Sequence, residues 1–352
     1  MIINETLPYL TAAHLGLGGR IKETPSDFEV EEIPAYDPSG EGEHLYLWVE
    51  KTDMGAEFFS RQIARRLNIP PGDIGTAGLK DRRAVTRQWV SVPVKAETGL
   101  PGLEGEGIRV LKVTRHGNKL RAGHLRGNRF RVLIRGASQD VPLAPVLDAI
   151  RQNGLPNFYG SQRFGRNGET LALGWNMLMG QSVKVRNPFM KKLTLSAAQS
   201  YLFNRVLTKR MSDGLFRTVL AGDVLAKWPA GGMFTNTDVS ADQPRFDARE
   251  VVHAGPMFGK KTFPTTGVAA EREQAVLTES GVPTEAFDKF GQLLSGTRRH
   301  NLVYVEDLAA EWEPEGLRLT FTLPAGSYAT VLLGEVMKSE VAGDDSPDAV
   351  DG

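Results

Sequence analysis

Two stretches near the start of the chain alternate apolar and polar residues as half-buried strands do. They are "DFEVEEIPAY" (27–36) and "HLYLWVEK" (44–51), joined by the turn-like "DPSGEGE". After Asp53 the period changes. In "MGAEFFSRQIARRLNI", Phe59, Ile63 and Leu67 recur every four residues, which predicts an amphipathic helix with Asp53 as its N-cap. "IRVLKVT", "HGNK" and "LRAGHLRGNRFRVLIRG" then read as strand, turn and strand. Phe130, Val132 and Ile134 share one face of the last strand, and Arg129, Arg131 and Arg135 share the other. "LAPVLDAIRQNG" predicts a short helix ending at Gly154.

The pattern shifts at "LPNFYGSQRFGRNG". From about Pro156 the chain turns helical, most clearly in "TLSAAQSYLFNRVLTKRM", and runs through Gly- and Pro-rich connections to about Asn301. "LRLTFTL" (317–323) restores a strand period, followed by Pro324, Gly326 and a helix-like "SYATVLLGEVM". Placing that late strand in the first sheet makes residues 156–304 an insertion in a discontinuous domain. Two domains in series are the simpler alternative. No solenoid period is present.

Composition bounds the class. With 352 residues, 41% hydrophobic and 24% charged, the chain has the length for two domains and the balance of a soluble globular protein. No apolar run reaches the ~18 residues of a membrane span, and "MIINETLPYL" lacks the pattern of a secretory signal. The absence of cysteine excludes disulfides, thiolate nucleophiles and cysteine-ligated metals. A cytoplasmic location is the expectation.

Charge is balanced overall and uneven along the chain. Residues 109–135 hold nine Lys/Arg and no acid, whereas residues 27–57 hold ten acids and Lys51 alone. The basic block fits a polyanionic partner. Acidic and basic strands pairing within one sheet would produce the same pattern. The last dozen residues, 341–352, are small and acidic and are expected to be disordered.

Several familiar motifs fail. "GPMFGKKT" (255–262) has its glycines one residue too close for a phosphate loop and shows no strand pattern before it. "GLGGR" places Ile21 where a dinucleotide fingerprint needs its third glycine. The six histidines show no ligand spacing. No cofactor and no metal are expected.

What remains is "AGLKDRRAVTRQWVSV" (77–92), with Asp81 alone among Lys80, Arg82, Arg83 and Arg87. Such a loop is either a solvated salt-bridge cluster or the seat of a reactive carboxylate that cationic neighbours keep ionised.

This loop resembles the signature of the TruD family of tRNA pseudouridine synthases, a small-Gly-x-Lys-Asp-basic-x-Ala-x-Thr-x-Gln run that carries the catalytic aspartate. "IKETPSDFEVEE", "GNRF", "NFYGSQRFG" and "LPAGSYAT" resemble further family segments, in the family's order. The resemblance spans nearly the whole chain and is weakest over residues 209–301. It implies an α+β fold with a mixed, largely antiparallel pseudouridine synthase sheet, flanking helices and an inserted α-rich second domain. Residues 1–155 and 305–340 would form the catalytic domain and 156–304 the insertion, the two enclosing a cleft for folded tRNA. The implied activity is isomerisation of uridine to pseudouridine, at uridine 13 of the tRNA D-arm.

The same resemblance implies the site. Asp81 is the catalytic carboxylate and Lys22 its basic partner, with Lys80 and Arg82 as supporting loop residues. Phe130 packs on the target base, Asn128 bonds it, and Phe28 and Tyr328 contact substrate. Family members commonly carry Phe at the position of Tyr328. "QRFG" (162–165) is expected to be a structural turn that also lines the cleft. Phe28 and Phe130 are equally placed to be core residues, and Lys22 to be a solvated lysine. The implied partner is tRNA, with no membrane and no protein partner evident. The alternative from another class is a non-catalytic RNA-binding or RNA-folding protein that keeps the fold.

Overall fold

Strand β1 (Phe28–Pro34) buries Phe28, Val30 and Glu32 on one face, the period of two that its sequence displays. β2 (His44–Thr52) does the same with Leu45, Leu47, Val49 and Lys51. The structure is a computed structural model that describes residues 6–339; the acidic tail 341–352 lies outside the described residues. Helix α1 (Ala56–Leu67) lays Phe59, Ile63 and Leu67 against the Leu45–Leu47–Val49 face. Each of these side chains contributes about 1.5–3 kcal/mol by burial. The helix is capped by Gly55 and not by Asp53. Asp53 has a left-handed backbone (φ 49°) and its N–H bonds the carbonyl of Ala84, so it closes a turn ahead of the Gly55 cap.

β3 (Gly75–Thr76), β4 (Val85–Pro93), β5 (Ile108–His116) and β6 (Leu125–Arg135) follow. On β6 Phe130, Val132 and Ile134 are buried and Arg129 and Arg131 are exposed, the two-faced strand that the sequence predicts. α2 (Ala144–Asn153) ends at Gly154, whose φ of 79° suits glycine.

The chain then builds a second unit. β7 (Leu155–Pro156), α3 (Glu169–Leu178) and α4 (Pro188–Ser212) come first. Asn187 caps α4 by accepting from the N–H groups of Phe189 and Met190, and Pro188 takes the first helical position. "QRFG" lies in a 3₁₀ turn (Ser161–Phe164) closed by Gly165 at φ 79°, and Arg163 Nε ties it to Ser200 Oγ of α4 at 3.1 Å. Four further strands come from the Gly- and Pro-rich connections: β8 (Val224–Lys227), β9 (Met233–Thr235), β10 (Val251–Met257) and β11 (Thr297–His300), in the order β11-β10-β8-β9. α5 (Val239–Asp247) and α6 (Gly267–Glu279) lie between them in sequence. "GPMFGKKT" therefore does follow a strand, since its first three residues are the end of β10. Gly255 is needed there for packing: a Cβ would meet Asn301 Oδ1 at 2.4 Å.

β12 (Leu302–Val303) pairs with β7. β13 (Glu306–Glu313) and β14 (Gly316–Pro324) return to the first sheet, and α7 (Ala329–Met337) closes the described chain. The first sheet has the order β13-β14-β6-β1-β4-β2-β5, with β3 on β4; β1 and β4 are parallel and the other pairs antiparallel. β14 pairs with β6 along its length, from Gly316 opposite Arg135 to Pro324 opposite Gly127.

By contacts the described chain divides into two units. One holds residues 6–14, Asp148–Tyr304 and Thr330–Glu335; the other holds Leu15–Leu147, Val305–Ala329 and residues 336–339. The unit that begins at Leu15 contains the eight-stranded sheet and every residue singled out above around Asp81. No helix among the described residues is long and apolar enough to cross a membrane.

Candidate active site

Asp81 sits in the irregular link between β3 and β4. Small residues pin the link at both ends: Ala77 and Ala84 are buried, Ala77 O accepts from Gly123 N at 2.9 Å, and Ala84 O accepts from Asp53 N at 3.1 Å. Buried Lys51, at the end of the apolar face of β2, fixes its middle. Its ammonium donates to the carbonyl of Met54 and, at 3.0 Å, to that of Asp81. The backbone of Asp81 is thus held from below while its side chain stays 33% exposed.

The carboxylate meets Lys22, whose Nζ lies 2.8 Å from Asp81 Oδ1. Lys22 is buried and has a left-handed backbone (φ 58°), which for a lysine costs about 1 kcal/mol or more. Flanking contacts hold it in that conformation. Arg20 bridges Arg135 on β6, and Arg135 forks onto Asp27 at 2.7 and 3.0 Å. Burial pushes the Asp27 carboxyl up, but the Arg135 fork and the bonds from Thr24 more than offset it and hold it at about 2.

The Lys22 ammonium also stands 4.3 Å over the ring of Phe28, a cation–π contact. Phe28 meets Phe130 edge to face at 6.1 Å, and Phe130 stacks on Phe321 of β14 at 5.2 Å. Asp81, Lys22, Phe28 and Phe130 thus form one connected constellation. Phe28 is 2% exposed and Phe130 6%, so the rings are its floor. Asn128 lies on the same face of β6, opposite Glu32, and its buried Oδ1 has no hydrogen-bond partner among the described residues. The Gly127 before it lets β14 approach: a Cβ there would meet Leu323 O at 2.4 Å. Tyr328 lies in the turn after β14, which Ala325 N ties to Arg126 O at 3.0 Å.

The loop cations divide. Lys80 turns away from Asp81 and pairs with Glu32 Oε2 at 2.7 Å, both side chains buried. Arg82 is exposed, and Arg83 Nη2 donates to Glu23 O at 2.9 Å, on the Lys22 segment. Sequence reasoning passed over Glu32 and Lys51. The available signal was parity: Glu32 shares a strand face with Phe28 and Val30, and Lys51 shares one with Leu45, Leu47 and Val49.

Much of the basic block is neutralised within the unit. Arg109 pairs with Glu50, Arg115 with Glu97, Arg129 with Glu31, Arg131 with Glu29 and Glu313, and Arg135 with Asp27. For these five arginines the alternative reading of the basic block, pairing of acidic and basic segments within the unit, holds. Lys112, Lys119, Arg121 and Arg126 have no carboxylate partner among the described residues. Among those residues no cluster of His, Asp and Glu suited to a metal ion occurs.

Comparison with known proteins agrees with this picture. The family model described as tRNA pseudouridine synthase D (TruD) matches residues 6–186 and 179–336. The tRNA pseudouridine synthase D of an Anaeromyxobacter species is 45% identical over 347 residues, covering 97% of this chain and 98% of that protein. That of Thermus thermophilus is 42% identical over 338 residues, covering 96% and 93%. Among solved structures, one from Methanosarcina mazei titled as a tRNA pseudouridine synthase D superposes with a TM-score of 0.78 at 25% identity, covering 96% of this chain and 97% of that one.

Proposed function

This chain belongs to the TruD family of tRNA pseudouridine synthases, and we propose from that premise that it isomerises uridine to pseudouridine in tRNA, at uridine 13 of the D-arm, with Asp81 as the essential carboxylate. The observation that carries the assignment is the 2.8 Å contact between Lys22 and Asp81. It joins two residues 59 positions apart at a partly exposed carboxylate whose backbone a third residue, Lys51, holds in place.

The reaction breaks the bond between uracil N1 and ribose C1′, turns the base, and joins C5 to C1′. C5 gives up its proton and N1 gains one, so substrate and product are isomers. The carboxylate has three possible first acts: attack on C1′, addition to C6, or removal of a proton from C2′. Each uses an ionised Asp81 at a fixed position. The Lys22 ammonium orients one carboxylate oxygen and leaves Oδ2 for the substrate. The target base must leave its stack to reach Asp81, and pockets for flipped bases combine a ring surface with hydrogen bonds to the base edge. Phe130 and Phe28 supply the floor, and Asn128, with its unused Oδ1, supplies an acceptor. Tyr328 contacts the substrate from the turn after β14.

Carbodiimide labelling of pseudouridine in tRNA, with the unaltered chain and with Asp81→Asn, tests this reading. The unaltered chain should label one uridine in the D-arm. Asp81→Asn should label none while binding tRNA within a few fold of the parent. Turnover by a clean Asp81→Asn preparation would remove Asp81 from the reaction.

A further inference from the structure

Away from Asp81, the same unit has a second recess of about 480 Å³, within the range of small-molecule sites, ~300–1,000 Å³. Tyr36 forms its wall. The Tyr36 ring stacks on His116 with centroids 5.1 Å apart, and its hydroxyl bonds His124 Nδ1 at 2.7 Å. Tyr46 buttresses both, reaching the Tyr36 hydroxyl at 3.4 Å and meeting His116 edge to face at 5.0 Å. The ring is therefore locked before anything binds, and a planar ligand stacked there orders nothing further.

Lys119 and Arg121 line the same recess, and both belong to the cations without a carboxylate partner among the described residues. The Lys119 ammonium is anchored to the carbonyl of Gly72, while the Arg121 side chain is exposed. The carboxylate in the lining, Asp37, is exposed and has no ion-pair partner among the described residues. Planar rings beside two cations and one acceptor match a nucleotide: a base to stack, a phosphate for Lys119 and Arg121, and an amino group or ribose hydroxyl for Asp37. The recess is also coupled to the active loop. The turn that carries Lys119 and Arg121 is bonded through Gly123 N to Ala77 O, in the segment leading to Asp81.

We propose that this recess takes one unpaired nucleotide of the RNA substrate, distinct from the uridine presented to Asp81. The proposal rests on the RNA reading above. It gives the enzyme a second fixed point on the RNA.

The test is tRNA affinity and nucleotide footprinting on the Asp81→Asn chain, so that turnover plays no part. Tyr36→Ala and Arg121→Ala should each weaken binding of unmodified tRNA by about tenfold, the scale of one stacked base. Both should also lose protection of the same unpaired nucleotide. Tyr36→Phe keeps the ring and should stay close to the parent. Should Tyr36→Ala fail to fold, Arg121→Ala decides, since that side chain is exposed and holds nothing in place. Affinity within twofold of the parent overturns the subsite, as does a footprint that changes only at the target uridine. A chain that makes pseudouridine but keeps its affinity in both variants loses this proposal alone. A chain that makes none, yet loses affinity and footprint in both, keeps the subsite and loses the catalytic reading.

Discussion

Lys80 Nζ lies 2.7 Å from Glu32 Oε2, with both side chains buried, although Lys80 is the covalent neighbour of Asp81. The residue best placed by sequence to accompany Asp81 thus uses its charge elsewhere, and the partner comes from Lys22. One loop carries two ion pairs with different duties. Lys80–Glu32 fastens the loop to β1, and Lys22–Asp81 sets the orientation of the carboxylate.

Breaking the Lys80–Glu32 pair from one side should destabilise the fold strongly. Removing one partner of a buried pair leaves an uncompensated charge, at about 3–5 kcal/mol. Glu32→Gln is expected to lose stability of that order, with Lys80 left facing a neutral amide. The double change Glu32→Leu with Lys80→Met should recover most of it, since apolar replacement of both partners is often neutral. Urea unfolding of the three chains measures this. A Glu32→Gln chain as stable as the parent would show that water reaches the pair.

Lys22 should matter to rate more than to fold. A hydrogen bond to a charged group is worth about 1.5–3 kcal/mol, which corresponds to roughly tenfold to 150-fold in rate. Lys22→Met is therefore expected to lower kcat by that factor with little change in KM. Lys22→Gly should do the same while relaxing a backbone held at φ 58°. Steady-state kinetics on tRNA decide the matter. A Met variant with parental kcat would reduce Lys22 to a structural contact.

The parts of this site differ in how far the sequence displays them. β1, β2, β6, α1 and β14 follow from residue period, because each packs one face on a core and leaves the other polar. β8 to β11 were hidden: every residue of β10 is buried, so it shows no alternation, and its glycine and proline read as a connection. The Asp81 loop was visible as a motif, and Lys22 was named as its partner by resemblance. Proximity alone would have chosen Lys80, because a side chain's direction follows from packing that local sequence does not encode. The same limit applies to the basic block, where strand register opposite Glu29 and Glu31, and the 3₁₀ turn that carries Asp27, decide which arginines are neutralised.

Acid should destabilise the unit that contains His253. This histidine is fully buried; its Nε2 donates to Phe216 O at 2.9 Å and its Nδ1 accepts from Asn301 Nδ2 at 2.9 Å. Burial, and then the charges of Arg210 and Arg217, push its pKa down to about 3, with Asp223 opposing. Burial and Arg299 push His300 in the same direction. Unfolded histidines take up protons near pH 6.5, whereas folded His253 stays neutral down to about pH 3 and folded His300 takes up its proton at a lower pH than when unfolded. Stability is therefore full above about pH 6.5 and declines as pH falls, by up to about 1.4 kcal/mol per unit from His253, with His300 adding in the same direction. Urea midpoints at pH 7.5, 6.5 and 5.5 should fall in that order, and His253→Gln should flatten the decline from a lower starting stability. Equal midpoints across that range would contradict neutral burial.

The last prediction separates cations that bind RNA from cations that bind the sheet. Arg129 faces Glu31 at 3.4 Å, and Arg131 faces Glu29 and Glu313 at 3.1 and 3.4 Å. Lys112 and Arg126 face no carboxylate among the described residues. A cation that contacts phosphate releases counterions and steepens the dependence of log K on log salt by roughly 0.7–0.9 per contact. A cation already paired with a carboxylate brings little net charge to the phosphate. Replacing Lys112 and Arg126 together with Ala should flatten the salt dependence of tRNA binding by up to about 1.8 over roughly 50–200 mM salt. Replacing Arg129 and Arg131 together should change it less and should instead lower stability, because Glu31 loses its partner and Glu29 keeps only Arg87 among the described residues. Equilibrium binding across that salt range, with unfolding curves for both double variants, measures both effects. A larger loss of slope in the Arg129/Arg131 variant would mean that those arginines leave their carboxylates for the RNA, and the division drawn from the cross-strand pairs would fail.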